Sequence, residues 1–300
     1  MAKNNDYFQG LFYLVLAQTM VGLNIVSSKY LVSSIPILFM LTLRFSLAAF
    51  ILLPLHWLTP ARRFTIKHHF STLKKRDWLF ILAQALSAGV LFNCLMLLGL
   101  HYTDANMAGI ITSALPATIA LMSWLILGEK ISAKTSLCIL FATLGLVIIA
   151  SNKFKGVGLN HSFFGDAIIL LSLLPEATYY ILCKLHSNRL PVFLISAFLN
   201  GLNALILFPL LFFFPWSPAQ LTSWDWVILL CLGLSSGLFY VFWSFGSQRV
   251  DGLLASLSTA IMPLATVILA WLLLGEQLTK MQCLGMSLVI FSIGIYARRN

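Results

Sequence analysis

The sequence predicts an all-α membrane protein with ten transmembrane helices, arranged as two inverted five-helix repeats. Composition, long apolar segments and an internal repeat together predict this fold class. Only 9% of the 300 residues are charged and 60% are hydrophobic, whereas about 25% of the residues of soluble domains are charged. The mean hydropathy of +0.93 agrees. This composition excludes an ordinary soluble domain.

Long apolar segments follow one another along the chain and are separated by short polar joints. About 20 apolar residues are needed to cross a bilayer as a helix. The first segment follows Lys3 and Asp6 closely and leads into further segments, so we expect an uncleaved signal anchor. The predicted spans are roughly 9–28, 36–57, 78–100, 104–127, 133–151, 164–184, 191–214, 226–247, 251–274 and 280–297.

The positive charges predict an orientation in the membrane. With the N-terminus in the cytoplasm, fourteen Lys and Arg residues fall on the cytoplasmic side and four on the other, while Arg44 lies inside a span. Cytoplasmic loops are enriched in Lys and Arg, so both termini are expected in the cytoplasm of a bacterial inner-membrane protein. The net charge of +10 is therefore an orientation signal, and no nucleic acid partner is expected. Six basic residues share the loop 58–77: Arg62, Arg63, Lys67, Lys74, Lys75 and Arg76.

The cysteine and histidine residues indicate neither a metal site nor a cofactor. The five cysteines fall singly in separate spans, without a CxxC pair. The chain contains no GxxxxGK[ST] phosphate loop and no nucleophile beside a base, so an enzyme is not expected. A passive channel and a lipid-handling or membrane-embedded enzyme are the alternatives to a carrier. The cysteines are Cys94, Cys138, Cys183, Cys231 and Cys283.

The two halves of the chain resemble each other. Residues 98–131 align without gaps on 245–278 and ten of these positions are identical, including Asp104/Asp251, Pro116/Pro263 and Glu129/Glu276. The repeats are predicted at 1–155 and 156–300. Five spans per repeat is an odd number, so the second copy crosses the membrane in the opposite sense. Inverted repeats are typical of carriers that work by alternating access around a midplane site.

These motifs resemble the drug/metabolite transporter superfamily, EamA type. The resemblance rests on the Leu-Gly-Glu segments 127–129 and 274–276, together with Asn24, Lys29, Arg44-Phe45, Pro116 and Pro263. It covers nearly the whole chain. The resemblance implies a ten-helix transporter that moves small polar solutes, such as amino acids, other metabolites or cationic drugs, by coupling to an ion gradient or by exchange.

Glu176 is the leading candidate for a substrate-binding and proton-coupling residue. It lies near the middle of the sixth span, where a carboxylate is costly unless it faces a partner, a cavity or water. One carboxylate cannot hold a proton and a cation together, which suits a proton/cation antiporter. Tyr179 and Tyr180 share part of its helical face and offer cation–π contacts. The alternatives are a structural pairing of Glu176 and simple packing of the tyrosines.

Further substrate-binding candidates lie in other spans. Arg44 in the second span would suit a substrate carboxylate, although a structural role is the alternative. Asn24 and Gln84 are either cavity residues or amides that join helices. Tyr240 and Trp243 in the eighth span either line a cavity or pack.

Six residues at repeated positions are predicted to be structural. Asp104 and Asp251 are expected to cap the fourth and ninth helices. Glu129 and Glu276 follow helix-ending glycines and are expected to contact neighbouring backbone or Lys. Pro116 and Pro263 are expected to bend their helices near mid-span.

The function predicted from these observations is a secondary active exporter or exchanger, with proton coupling as one option. The predicted substrate is a small polar metabolite that carries an amine, such as an amino acid or a polyamine. The expected partners are this solute, protons and the lipid bilayer, and the expected assembly is a monomer or a homodimer.

Overall fold

The computed structural model describes residues 2–128, 162–186, 190–213 and 221–250, then 255, 258–277, 280, 283–284 and 287–288. All regular elements among these residues are helical, which confirms the all-α class. Seven helical segments are long and apolar enough to cross a membrane. The predicted spans 133–151 and, for the most part, 280–297 fall outside the described residues, so the count of ten remains a prediction.

The described residues of the first half form seven α-helices, in order α1 to α7. A π-helical segment, Ala85–Leu91, joins α4 to α5 and makes one continuous membrane segment of them. Short 3-10 helices at His56–Leu58 and Pro60–Arg63 follow α2. The helices are α1 (Ala2–Leu31), α2 (Ile37–Leu55), α3 (Ile66–Ser71), α4 (Lys75–Gln84), α5 (Phe92–Tyr102), α6 (Ala105–Thr112) and α7 (Leu115–Leu127).

The second half contributes four α-helices among its described residues. They are α8 (Phe163–Leu185), α9 (Val192–Leu207), α10 (Ser223–Ser247) and α11 (Ile261–Leu274). A 3-10 segment, Phe208–Phe213, extends α9. Ser162 accepts a hydrogen bond from the amide of Phe164 and Thr222 from that of Asp225, in the first turns of α8 and α10, which fixes where these helices begin.

The two halves pack on each other rather than side by side as separate bundles. Helix α1 packs against α10 and α11, α2 against α9 and α10, α5 against α8, and α6 against α11. Gly99 and Gly165 show how close this packing is. A Cβ atom on either glycine would lie 2.9–3.0 Å from the carbonyl oxygen of the other. Small residues allow such close approach in membranes.

The segment α6–α7 and the segment that ends in α11 are interrupted in the same way. A non-helical turn at residues 113–114 precedes Pro116, and a turn at 259–260 precedes Pro263. Both helices then end at a glycine with positive φ, 66° at Gly128 and 67° at Gly275, a conformation that only glycine adopts readily. The breaks agree with the positions of the two prolines. Asp251 and Glu129 lie outside the described residues.

The cap of α6 differs from the prediction, because Asp104 makes no side-chain cap hydrogen bond although it occupies the N-cap position. Glu276 provides the cap instead. Its carboxylate accepts from the amides of Ala105 at 3.1 Å and Asn106 at 2.8 Å. Glu276 therefore satisfies the first two amides of α6. The pKa of the Glu276 carboxyl is raised, because the effect of burial exceeds that of the two amide hydrogen bonds and the Lys29 charge, which lower it.

Lys29 provides a second cap on the side of the membrane where Glu276 lies. We call this side the Lys29 face. Lys29 donates from Nζ to the carbonyl oxygens of Leu100 at 2.9 Å and Thr103 at 2.8 Å, at the end of α5. Thr103 in turn donates to Asp166 on α8 at 2.8 Å. Lys29 lies at the C-terminal end of α5 and Glu276 at the N-terminal end of α6. Helix dipoles favour a cation at the first kind of end and a carboxylate at the second. The opposite face, where α2 ends and α4 begins, is called the Lys75 face.

We predict that Glu276→Ala lowers the free energy of unfolding by about 1 kcal/mol, the usual contribution of an N-cap side chain. Two amides of α6 would lose their acceptor. The thermal unfolding midpoint of the detergent-solubilised protein measures this change. Asp104→Ala is the matched control and should have a smaller effect, because its side chain makes no cap bond. Equal losses in both variants would contradict the assignment.

Candidate functional site

A small cavity lies between the two halves, and we call it the central cavity. Helices α1, α2, α5, α8 and α10 and the π-helical segment line it. Its free volume is about 40 Å³, room for about three water molecules, so a larger solute requires its walls to move. The polar residues that line it are Asn24, Arg44, Asn93, Glu176, Ser235, Ser236 and Tyr240, and each of them is buried.

Glu176 is the acidic residue of this cavity. It is 1% exposed, and Pro175, inside α8, immediately precedes it. Its carboxylate is hydrogen-bonded to Tyr180, one turn further along the helix, while Oε2 has no partner. Among the described residues, no basic side chain lies within 4 Å of it. A buried carboxylate in such a place requires a proton or a cation.

Arg44 is 1% exposed and is held by side-chain acceptors from two other helices. Its Nη1 donates to Asn24 and, at 3.4 Å, to Ser28, while its Nη2 donates to Asn93. Both terminal nitrogens of the guanidinium are therefore engaged, and Nε alone lacks a partner. This geometry favours the structural role for Arg44 over binding of a substrate carboxylate.

The two asparagines extend this network in both directions. Asn24 donates from Nδ2 to the hydroxyls of Ser235 at 3.1 Å and Ser236 at 2.9 Å on α10. Asn93 donates from Nδ2 to the carbonyl oxygens of Ala88 and Gly89, both at 2.7 Å. These carbonyls belong to the π-helical segment. The wider hydrogen-bond spacing of a π-helix leaves backbone groups in need of other partners. The network therefore joins α1, α2, α5 and α10.

The sequence prediction did not select Ser28, Ser235 or Ser236 as site residues. The available signal was the position of hydroxyls inside predicted spans, where they require partners. Gln84, which was selected, does not line either of the cavities described here. Its amide lies 3.7 Å from the Cys183 sulfur and is fully buried, so it joins the α4 segment to α8.

A second, larger cavity lies toward the Lys75 face, and we call it the vestibule. Its free volume is about 380 Å³, and Tyr179, Tyr180, Tyr240 and Trp243 form part of its wall. Its lining also includes His186, just after the end of α8, and Gln248, just after the end of α10. The vestibule therefore extends to the ends of both helices at that face.

An aromatic layer separates the vestibule from the central cavity. The ring centroids of Tyr180 and Trp243 are 4.7 Å apart, and those of Tyr179 and Tyr240 are 5.9 Å apart. All four rings are at most 5% exposed. Tyr240 lines both cavities. The layer therefore lies where the vestibule adjoins the central cavity that Glu176 lines.

Comparison with known proteins finds one transporter family whose model matches both halves of the chain. Residues 8–151 and 163–298 match the model of the EamA-like transporter family. The chain is 30% identical over 287 residues to an uncharacterized transporter, YetK, of Bacillus subtilis (strain 168), covering 93% of this chain and 84% of that protein.

More distant similarities extend to an archaeal protein and to a solved structure. The chain is 26% identical over 234 residues to an uncharacterized transporter of Archaeoglobus fulgidus, covering 76% of this chain and 80% of the other. A crystal structure with 16% sequence identity superposes with a TM-score of 0.69 and covers 97% of this chain and 96% of its own. At this identity, the superposition supports the fold alone.

We predict that Arg44→Gln lowers stability by about 3 kcal/mol or more, because hydrogen bonds to charged groups contribute about 1.5–3 kcal/mol each. Folded yield and the thermal midpoint in detergent measure the loss. Glu176→Gln is the control and should leave the midpoint near that of the wild type. A stable Arg44→Gln protein that had lost only substrate binding would contradict the structural role.

A second prediction concerns the aromatic layer. In a background without the natural cysteines, Glu176→Cys should react slowly with a water-soluble maleimide, since the layer shields it. Adding Trp243→Ala should speed labelling about tenfold, because an edge-to-face aromatic pair contributes about 0.5–1.5 kcal/mol. Trp226→Ala on the exposed side of α10 is the matched control. Fast labelling with the layer intact would contradict a barrier.

Proposed function

The chain belongs to the EamA-like transporter family, and from that premise we propose a secondary active exporter or exchanger of small amine-bearing solutes, coupled to protons. The observation that carries the proposal is Glu176, a buried carboxylate without a basic neighbour among the described residues. A substrate ammonium or a proton supplies the missing positive charge, and each excludes the other. Competition for one carboxylate couples their movements.

The substrate class follows from the walls of the central cavity. Glu176 is available for an ammonium group, and the aromatic rings of Phe239 and Tyr240 offer cation–π contacts. Arg44 is occupied by Asn24 and Asn93 and offers no free pair of donors for a carboxylate. The geometry therefore supports amines, such as polyamines or aromatic monoamines, ahead of α-amino acids.

Alternating access is the proposed mechanism, with the units 1–155 and 156–300 as its two halves. The separate matches of 8–151 and 163–298 to one family model support two copies of one unit. The vestibule and the aromatic layer provide access and closure on the Lys75 face. On the opposite face, the contacts of Lys29 and Glu276 join helices and must rearrange for that face to open. The proposed location is a bacterial inner membrane with both termini cytoplasmic.

We predict that Glu176→Gln abolishes coupled transport, since the amide holds neither the ionised substrate nor a proton. Wild-type proteoliposomes with an acidic interior should lose their pH gradient when an aliphatic diamine or an aromatic monoamine is added outside, as a pH-sensitive dye reports. Asp225→Asn is the control carboxylate, because Asp225 caps the start of α10, about 20 Å along the helix from Tyr240.

Counterflow of the labelled amine separates a carrier from a channel in the same vesicles. Wild-type protein should show accelerated uptake against unlabelled internal amine. Full activity of Glu176→Gln would remove this residue from the mechanism. Amine flux with no counterflow would contradict the carrier mechanism itself.

A further inference from the structure

An apolar groove on the outer surface of the helix bundle lies between α4 and α9. Lys75, Trp78, Leu79, Leu82 and Leu202 line it, and its free volume is about 520 Å³. Leu79 is 67% exposed and Leu82 43%. No residue of this groove lines the central cavity or the vestibule, so it is separate from the proposed transport site.

The groove has a charged end and an apolar interior. Lys75 is the first residue of α4, and Leu79 and Leu82 follow it at helical spacing on the same face. Leu82 therefore lies about 10 Å deeper along the helix than the lysine. Trp78, 40% exposed, lies near the same end, where indole rings favour the headgroup level of a bilayer.

The segment that leads into α4 and contributes Lys75 to the groove is rich in positive charge. The segment 58–77 carries six basic residues and one acid, Asp77. Asp77 is only 4% exposed and pairs with His186 at 2.7 Å, so it contributes little negative charge to the surface. Clusters of Lys and Arg beside a membrane helix attract anionic lipid headgroups.

We propose that this groove is a binding site for one anionic phospholipid. The lipid phosphate pairs with the Lys75 ammonium, and one acyl chain lies along Trp78, Leu79, Leu82 and Leu202. A zwitterionic lipid fills the same groove less well, because its choline group meets the surrounding positive charges. The site rests on this groove and its charges alone and is independent of the transported solute.

Quenching of Trp78 fluorescence by brominated lipids tests the proposal. Full-length protein is reconstituted in phosphatidylcholine with a small fraction of acyl-brominated phosphatidylglycerol or, in parallel, acyl-brominated phosphatidylcholine. The difference between wild type and Trp78→Phe isolates the signal of the groove. We expect stronger quenching by phosphatidylglycerol, and Lys75→Gln should weaken this preference about fivefold, the contribution of one surface cation.

Lys67→Gln is the matched control, because Lys67 is an exposed cation of the same loop that does not line the groove. It should keep the preference for phosphatidylglycerol. Equal quenching by the two lipids in the wild type would overturn the proposal. Equal weakening by Lys67→Gln and Lys75→Gln would also overturn it, because the effect would then come from diffuse charge. Thermal midpoints of the variants exclude misfolding as the cause.

Discussion

The structure depends on one constraint, that polar groups within a membrane must find partners inside the protein. Arg44 is where this constraint is strongest, because a guanidinium cannot shed its charge. Asn24 and Asn93 accept from it and pass the hydrogen bonding on to α10 and to the π-helical segment. One buried cation thereby fixes the relative positions of helices from both halves around the central cavity.

Glu176 lies beside this network and differs from it in how its polar atoms are paired. One of its oxygens lacks a partner, although it lines the same cavity as Arg44. The terminal nitrogens of the cation are satisfied within the protein, whereas the carboxylate keeps an open oxygen, and this contrast is the basis of the proposed preference for positively charged ligands. The aromatic layer lies on the vestibule side of this cavity. The structural role of Arg44 and the proposed binding role of Glu176 therefore belong to neighbouring side chains of one cavity.

The ends of the helices show how the faces of the bundle are held. Glu276 and Lys29 both bind backbone groups rather than each other, so each charge satisfies helix ends that would otherwise lack partners. The groove between α4 and α9 shows a different use of charge, since Lys75 remains exposed beside apolar surface. Lys29 and Glu276 therefore join helices within the protein, whereas Lys75 is placed to contact the lipid, as proposed above.

The sequence by itself determined the all-helical membrane class and the family, and it singled out Glu176 as the leading site candidate, because apolar length, the Leu-Gly-Glu motif and a charge within a span are all local properties. It also placed Pro116, Pro263 and both helix-ending glycines. Only the tertiary structure decided that Arg44 is occupied by two asparagines, that Glu276 rather than Asp104 caps α6, and that Gln84 lies away from the cavities. Each of these depends on residues far apart in the chain, whose partners are chosen by helix packing and not by sequence spacing.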